Sequence, residues 1–165
     1  MDQIAIEFAI RQLHARNVDA TWRKDAAEFA NCFTDDAEWR IGGATLTGRA
    51  NIEQTFALLL GRVEGAFMQY GTPMLSFGAA EVTGRTYVVE YRFVGGQVSR
   101  SLGCYYEWFR QEQGEWRFAK RYWSMIHASE AAKAGPLEPY VDFGAFPGMP
   151  CDDEPPQPPA RKVFG

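Results

Sequence analysis

The hydrophobic pattern of this chain changes its period once, and that change limits the folds available to it. Up to Val63, outside the short segment TDDAEWRIGG, apolar residues recur every three or four positions, which is typical of helices. From Ala66 onward, apolar and polar residues alternate, which is typical of strands. Helices followed by a run of strands predict an α+β fold, in which the helices cover one face of a mainly antiparallel sheet. The 165 residues and the 46% hydrophobic content fit one such domain with a proper core.

Three helices are predicted before Ala66. The first segment carries two apolar stripes, which predict a helix covered by protein over much of its girth. One stripe contains Ile4, Phe8, Ala15, Val18 and Trp22, and the other contains Ile6, Ile10 and Leu13. Asp25 can cap a short helix in AAEFANCF, because its carboxylate can accept the free N–H groups of the first turn. The third helix is predicted within TGRANIEQTFALLLGRV.

Strands are predicted from one short segment and four longer ones. The segment TDDAEWRIGG predicts a turn followed by a short strand. The four later strands are predicted in MQYGTPMLSF, RTYVVEYRFV, QVSRSLGCYYEWFRQ and EWRFAKRYWSMIH. The turns between them are expected at Thr83-Gly84, Gly95-Gly96 and Gln113-Gly114.

The composition changes abruptly beyond Ala134, which predicts a domain over residues 1–134 and a separate tail over residues 135–165. The tail is rich in Pro and Gly and has neither the helical nor the strand period. Its aromatic residues can repay the cost of ordering by being buried. We therefore expect the tail to pack on the body of the domain or on a partner subunit.

Composition and motifs argue against several classes of function. The formal net charge is −4 and the basic residues are scattered, so nucleic acid is not an expected partner. Polar residues interrupt the apolar N-terminal segment, so we expect no membrane span or secretion signal and a cytoplasmic protein. The three cysteines are far apart, and the two histidines lack a second ligand at a recognised spacing, so no metal is expected. No phosphate-binding loop is present, which predicts no nucleotide or flavin cofactor.

Three sequence segments carry a resemblance to a known family. They are VDATWRKDAAEFANCFTDDAEW, GRANIEQTFALLL and GCYYEWFRQEQGEWRFAKR. In these segments, over roughly residues 4–127, the chain resembles the SnoaL-like branch of the nuclear-transport-factor-like superfamily. The resemblance implies a cystatin-like fold, in which a curved, cone-shaped sheet packs with three helices around a pocket. The pattern is most similar to scytalone dehydratase, bile-acid dehydratase and hexachlorocyclohexane dehydrochlorinase, which belong to this family.

The resemblance also suggests a proton-removing pair of residues. Those enzymes place an Asp on the first helix and a His on the strand after the third helix. Asp19 matches the first position, whereas Gln69, or Met68 if the register slips, stands at the second. Because an amide cannot take up a proton near neutral pH, the histidine-driven elimination does not carry over directly.

Asp19, Tyr70 and Tyr105 are the candidate catalytic residues. Asp19 lies at the edge of an apolar stripe, where desolvation would make it a usable base, although a pair with Arg23 would make it structural. The hydroxyls of Tyr70 and Tyr105 could donate to an oxygen that gains charge, or they could simply support the sheet.

Six further residues are candidates for binding the substrate. Arg121, in a W-x-F-x-x-R pattern, could bind an anionic group or tie strands together. His127, at the end of the last predicted strand, could be a proton shuttle or a solvated strand end. The remaining candidates are Gln69 and the aromatic residues Trp22, Trp39 and Phe56. An aromatic content of 15% suits a pocket for a carbon-rich ligand, and it suits a bulky core equally well.

Together these observations favour a cofactor-free lyase or isomerase that acts on a small hydrophobic cyclic metabolite. Two alternatives stay open at this point. One is a ligand-binding protein without catalysis, and the other is a structural small subunit of a ring-hydroxylating dioxygenase-type assembly. Apolar residues on both faces of residues 104–109 also predict a homodimer or a higher homo-oligomer, because an exposed apolar sheet face favours association.

Overall fold

The computed structural model describes residues 2–78, 81–129 and 132–133. The helices are α1 (Gln3–Arg23), α2 (Ala26–Asn31) and α3 (Arg49–Gly61). The first four strands are β1 (Phe33–Ile41), β2 (Ala44–Thr47), β3 (Gly65–Tyr70) and β4 (Met74–Phe77). The last four are β5 (Val82–Val94), β6 (Gln97–Glu112), β7 (Glu115–Ala128) and β8 (Ala132–Lys133).

One curved, open sheet contains all eight of these strands. Its main path runs β2-β1-β7-β6-β5-β3, while β4 also pairs with β5 and β8 pairs with β6. The β1–β7 pair is parallel, and the other pairs are antiparallel. The predicted α+β fold, with three helices and a mostly antiparallel sheet, is confirmed.

Helix α1 buries one of its two apolar stripes. The helix begins at the cap residue Asp2, whose carboxylate accepts the N–H groups of Ile4 and Ala5. The stripe of Ile6, Ile10 and Leu13 is buried, as are His14, Asn17, Ala20 and Thr21 along the same side of the helix. On the other stripe, Ile4 is 82% exposed and Phe8 is 64% exposed. The expectation that protein covers most of this helix is therefore wrong at its N-terminal end, because α1 packs through one side only.

The two shorter helices follow their predicted positions closely. Asp25 caps α2 by accepting the N–H of Glu28 at 2.9 Å, as its place in the sequence predicted. In α3, the side chains of Ile52, Phe56 and Leu60 are buried against the rest of the domain.

The strands differ from the prediction in several places. Strand β1 has already begun at Phe33, ahead of the expected turn, and β2 and β8 were not predicted. MQYGTPMLSF forms two strands, β3 and β4, which both pair with β5. Pro73 lies between them and has no N–H to contribute to a continuous ladder. The predicted turn at Thr83-Gly84 lies inside β5 instead, where Gly84 faces Leu75 of β4.

The other two predicted turns are confirmed. Gly95 and Gly96 have φ values of 58° and 69°, and Gln113 and Gly114 have values of 55° and 85°. Positive φ at both central residues is the tight hairpin geometry that matches the twist of the flanking strands.

An aromatic core fills the space between the helices and the sheet. Phe29 of α2 stacks on Phe56 of α3 with ring centroids 3.5 Å apart, and both rings contact Trp39 of β1. Polar side chains are buried next to this core. They include His14, Asn17, Thr86, Glu107 and Arg121.

Two further sequence predictions concern the C-terminal tail and a membrane span. The predicted tail, residues 135–165, lies outside the described residues. In the part of the chain that the structure describes, no helix is both long enough and apolar enough to cross a membrane.

Candidate functional site

A buried ion pair lies at the centre of the site. Glu107 of β6 and Arg121 of β7 face each other in register, and the side chains of both are inaccessible to solvent. Arg121 Nε donates to Glu107 Oε1 at 3.0 Å. Because a buried charge is costly without partners, each of these groups requires further hydrogen bonds.

Thr86 and His14 supply those bonds to Glu107. Thr86 of β5 donates from Oγ1 to Glu107 Oε2 at 2.7 Å. His14 of α1 places Nε2 at 3.0 Å from each oxygen of the same carboxylate. The carboxylate is thus held on both oxygens, by groups from a helix and two neighbouring strands.

The electrostatics of Glu107 follow from these partners. Burial alone would raise its pKa, but His14, Arg121 and Thr86 together hold the pKa below its usual range. For Arg121, burial acts to lower the pKa, and the surrounding Tyr70, Tyr105 and Glu107 outweigh it and raise the pKa. Glu107 and Arg121 are therefore both charged at neutral pH.

Arg121 also connects the ion pair to Tyr70 and Asn17. Its Nη2 donates to the Tyr70 hydroxyl at 2.6 Å, and its Nη1 donates to Asn17 Oδ1 at 2.9 Å. The Tyr70 hydroxyl donates in turn to Asn17 Oδ1 at 2.8 Å. Because the guanidinium has only donors, the oxygen of the Asn17 amide must face it. The single hydroxyl hydrogen of Tyr70 is already used, so it is not free to donate to a ligand.

The ring of Tyr105 packs over the guanidinium of Arg121. The Arg121 Cζ atom lies 3.7 Å from the centroid of its ring, which is a close cation–π contact. Burial raises the pKa of Tyr105 to about 12, although Arg121 opposes this effect. Tyr105 is therefore a neutral phenol that helps to enclose the buried charge.

A cleft of about 720 Å³ opens between α1 and the edge strand β3. Its walls are largely apolar and include Ala15, Val18, Trp22, Phe67 and Met68. The rings of Trp22 and Phe67 meet edge to face, with centroids 5.9 Å apart. A concave apolar site of this size suits a small carbon-rich ligand.

His14 and Tyr70 belong to both the cleft and the buried polar cluster. The second ring nitrogen of His14, Nδ1, is buried and has no hydrogen-bond partner among the described residues. A buried nitrogen without a partner is unusual in proteins, and a catalytic role is one explanation for it. His14 thus links the wall of the cleft to a fixed carboxylate.

Four of the residues predicted for the site line the cleft: Asp19, Trp22, Gln69 and Tyr70. Asp19 does not have the buried environment expected of a base. Its side chain is 58% exposed, and its carboxylate accepts a hydrogen bond from Arg23 Nε at 2.8 Å. The structure therefore shows the alternative arrangement, an ion pair of residues one helical turn apart.

The other predicted residues lie elsewhere. Tyr105 and Arg121 are buried in the polar cluster, while Trp39 and Phe56 pack in the hydrophobic core rather than at the cleft. Their place in the core corrects their expected role as walls of the pocket. His127 is exposed near the end of β7, opposite Leu102 of β6.

The sequence analysis missed His14, Asn17 and Glu107 as site residues. A signal was present for the first two, because they continue the buried stripe of Ile10 and Leu13 at spacings of three and four residues. Polar residues on an apolar stripe must find buried partners. For Glu107, strand alternation with Tyr105 placed it on the same face, but its partners are distant in sequence.

Neither a cluster of metal ligands nor an activated Cys32 thiol is present among the described residues. Within residues 2–78, 81–129 and 132–133, no group of three or more His, Cys, Asp or Glu side chains is placed to hold a metal ion. Burial raises the pKa of the Cys32 thiol to about 11, so this cysteine is not a ready nucleophile.

Comparisons with known proteins agree with this fold. The family model of the SnoaL-like domain matches residues 2–122. Among solved structures, a protein from Novosphingobium aromaticivorans DSM 12444, proposed to be a scytalone dehydratase, aligns with a TM-score of 0.71 and 17% identity. That alignment covers 84% of this chain and 97% of the other.

Two further structures are similar. The hexachlorocyclohexane dehydrochlorinase LinA-type3 from Novosphingobium barchaimii LL02 has a TM-score of 0.72 and 21% identity, over 84% of this chain and 98% of that chain. A protein of unknown function with a cystatin-like fold from Nostoc punctiforme PCC 73102 has a TM-score of 0.62 and 16% identity, over 72% and 90% of the two chains. At such identities the likeness shows the fold alone. A comparison with curated protein sequences finds no match.

Proposed function

Because the chain belongs to the SnoaL-like family, we propose that it is a cofactor-free lyase or isomerase that moves a proton on a small hydrophobic cyclic molecule. The family membership and the dehydratase-like structures support this class of reaction. The observation that carries the proposal is that His14, which lines the cleft, contacts the buried carboxylate of Glu107.

His14 is the proposed general base, in place of the exposed Asp19. Glu107 accepts a hydrogen bond from Nε2–H, which fixes the neutral ring in the tautomer that leaves a lone pair on Nδ1. A carboxylate that orients an imidazole and stabilises its cation is a recurrent arrangement in proton transfer. Thr86 and Arg121 keep that carboxylate in place.

The proposed step removes a proton from a carbon next to a carbonyl group. The C–H bond breaks, the proton passes to His14 Nδ1, and the electron pair forms the double bond of an enolate. Return of the proton to another carbon gives an isomer, whereas departure of a group from the next carbon gives an elimination. Either outcome needs a donor for the oxygen that gains charge.

Gln69 is the proposed donor for that oxygen. Its side chain is exposed and lines the cleft, close to Tyr70 in sequence. A side-chain amide can donate to an enolate oxygen without exchanging a proton of its own. The aromatic and aliphatic walls would hold the carbon skeleton of the ligand next to it.

Hydrogen–deuterium exchange on a simple ketone tests the proposal without knowledge of the natural substrate. The protein is incubated with 2-tetralone in D2O, and deuterium at the carbons next to the carbonyl is followed by NMR. We expect His14→Gln to slow the protein-catalysed exchange by roughly 100-fold or more. His127→Gln is the matched control, because His127 is the second of the two histidines and is exposed on β7.

Exchange that is equal in wild type and His14→Gln, with both variants folded, would contradict the role of His14. An equal loss of exchange activity in His127→Gln would show that the effect of the substitution is not specific to the cleft.

A second candidate function is ligand binding without chemistry. Two observations favour it. Asp19 is paired with Arg23, and Gln69 stands where the resemblance places a histidine. Binding of 2-tetralone to the wild type with no exchange above the rate in buffer would favour this function over catalysis.

A further inference from the structure

Arg11 is the only arginine or lysine among the described residues that line the cleft. It continues the apolar wall along α1, because Val18 and Trp22 follow it by seven and eleven residues, which is close to two and three turns of the helix. All three side chains therefore leave the helix in nearly the same direction. A ring system packed against Val18 thus has the Arg11 guanidinium next to one of its edges. The proposed reaction makes no use of this cation.

Arg11 keeps most of its hydrogen-bonding capacity free for a ligand. Its Nη2 donates to Glu7 Oε1 at 2.5 Å, while Nε and Nη1 have no hydrogen-bond partner among the described residues. A guanidinium carries five N–H donors, so this one bond leaves the others available. The side chains of Arg11 and Glu7 are 51% and 42% exposed, and a solvated pair of this kind is weak. A carboxylate on a ligand can therefore bind beside Glu7 or replace it at little cost.

The carboxylate that lines the cleft does not neutralise Arg11. Asp19 is the only acidic side chain among the described lining residues, and it accepts a hydrogen bond from Arg23 at 2.8 Å. Asp19 follows Arg11 by eight residues on α1, which is about 12 Å along the helix axis. The end of the cleft at Arg11 therefore carries a cation whose only charged partner, Glu7, lies outside the cleft lining. A guanidinium binds a planar carboxylate well, through two parallel hydrogen bonds.

We propose that the cleft selects hydrophobic ring compounds that carry a carboxylate, and that Arg11 binds this carboxylate and so determines specificity. The aliphatic and aromatic wall around Val18 holds the ring system, and the guanidinium holds the charged group at its edge. The inference rests on the cleft as the ligand site of the proposed function. It concerns binding alone, so it does not depend on the role of His14.

Calorimetric titration of the full-length protein at neutral pH with 2-naphthoate and with 2-naphthamide tests the proposal. The two compounds have nearly the same shape, and only the first is charged. We expect wild type to bind 2-naphthoate more tightly than 2-naphthamide by roughly fivefold or more. Arg11→Gln should raise the Kd for 2-naphthoate by roughly the same factor and leave the Kd for 2-naphthamide unchanged. NOEs between the naphthoate ring and the Val18 methyl groups should locate the ligand in the cleft.

Two further variants separate a local effect of Arg11 from an effect of net charge. Arg16→Gln removes the same charge from the same helix, but Arg16 does not line the cleft and lies near Glu115, so both Kd values should match wild type. Glu7→Gln removes the carboxylate that competes for Arg11, so 2-naphthoate should bind more tightly while 2-naphthamide is unaffected. All three side chains are well exposed, so each variant should melt at the Tm of wild type.

The assignment is overturned if wild type binds the two compounds equally, if Arg11→Gln leaves the Kd for 2-naphthoate unchanged, or if Arg16→Gln loses as much affinity as Arg11→Gln. Weaker binding of 2-naphthoate by Glu7→Gln would contradict it too, as would no binding at millimolar concentrations or NOEs to residues outside the cleft alone. If exchange on 2-tetralone does not depend on His14 while 2-naphthoate binding still depends on Arg11, the proposed reaction fails and this inference stands.

Discussion

Two carboxylates close to the cleft behave differently because of their surroundings. Glu107 is inaccessible to solvent and accepts hydrogen bonds from three side chains, whereas Asp19 is largely exposed and accepts from Arg23. Removing the Glu107 carboxylate leaves its buried hydrogen-bond donors unpaired, whereas removing the Asp19 carboxylate leaves no buried group unpaired. Their substitution should therefore have very different effects on stability.

Glu107→Gln should lower the free energy of unfolding by about 3–5 kcal/mol at neutral pH, because it leaves the Arg121 cation buried without a counter-charge. In wild type, the low pKa of Glu107 means that its contribution is present above the ordinary value of 4.5 and is lost as the pH falls below it. Urea unfolding at several pH values measures both effects. Glu53→Gln is the exposed control, and a loss below about 1 kcal/mol in Glu107→Gln would contradict the buried ion pair.

Asp19→Asn should change the free energy of unfolding by less than about 1 kcal/mol, because an exposed pair one turn apart on a helix contributes little. The same variant should keep the exchange activity on 2-tetralone, since His14 is the proposed base. Parallel urea unfolding and exchange measurements check both expectations. A large loss of hydrogen–deuterium exchange activity, with unchanged stability, would show that Asp19 is the base.

At the scale of the element, β6 and β7 approach each other closely at Gly103. A Cβ atom at this position would lie 2.3 Å from the ring of Trp123 and 2.7 Å from the backbone oxygen of Ser124. The pairing of β6 with β7 also shifts its register between Leu102 and Gly103. The glycine therefore permits a close approach that brings the Trp123 ring over the strand, next to Tyr105.

Gly103→Ala should destabilise the domain by about 1–3 kcal/mol, because the added methyl group must displace a ring and a strand. Gly61→Ala, in the last residue of α3, is the control, since a methyl group added there would have nothing within 4 Å. That control should be neutral or should stabilise by about 0.5–1 kcal/mol. Thermal unfolding of both variants provides the comparison, and equal stability of the two would contradict the close contact.

At the scale of the whole molecule, the outer face of the sheet is rich in exposed aromatic residues. Tyr87 of β5 is 47% exposed and Tyr106 of β6 is 44% exposed, with Leu102 on the same face of β6. Arg85, which faces Tyr106 in register, lies over the ring of Tyr87. An apolar face of this kind favours pairing with a second copy.

We expect the protein to form a homodimer through this face, as predicted from its sequence. Tyr106→Glu should shift the dimer to monomer in sedimentation equilibrium, because it places a charge at the centre of the contact. Leu58→Glu is the matched control, since Leu58 is exposed on α3. A wild type that stays monomeric at high concentration would rule out the dimer.

The sequence by itself determined the class of fold, because the change of hydrophobic period is a local property of the chain. The three helices, the cap at Asp25 and two of the hairpin turns follow from residues near one another in sequence. The resemblance to the SnoaL-like family came from such local segments as well. Of the residues predicted for the site, Asp19, Trp22, Gln69 and Tyr70 line one cleft.

Only the tertiary structure decided which polar residues meet inside the protein. His14 and Glu107 are 93 residues apart in sequence, and Asn17 and Arg121 are 104 apart. Strand register and the path of α1 bring them together, and neither can be calculated from local spacing. The same packing placed Trp39 and Phe56 in the core and left Asp19 in solvent, because burial depends on what lies opposite a residue and not on its type.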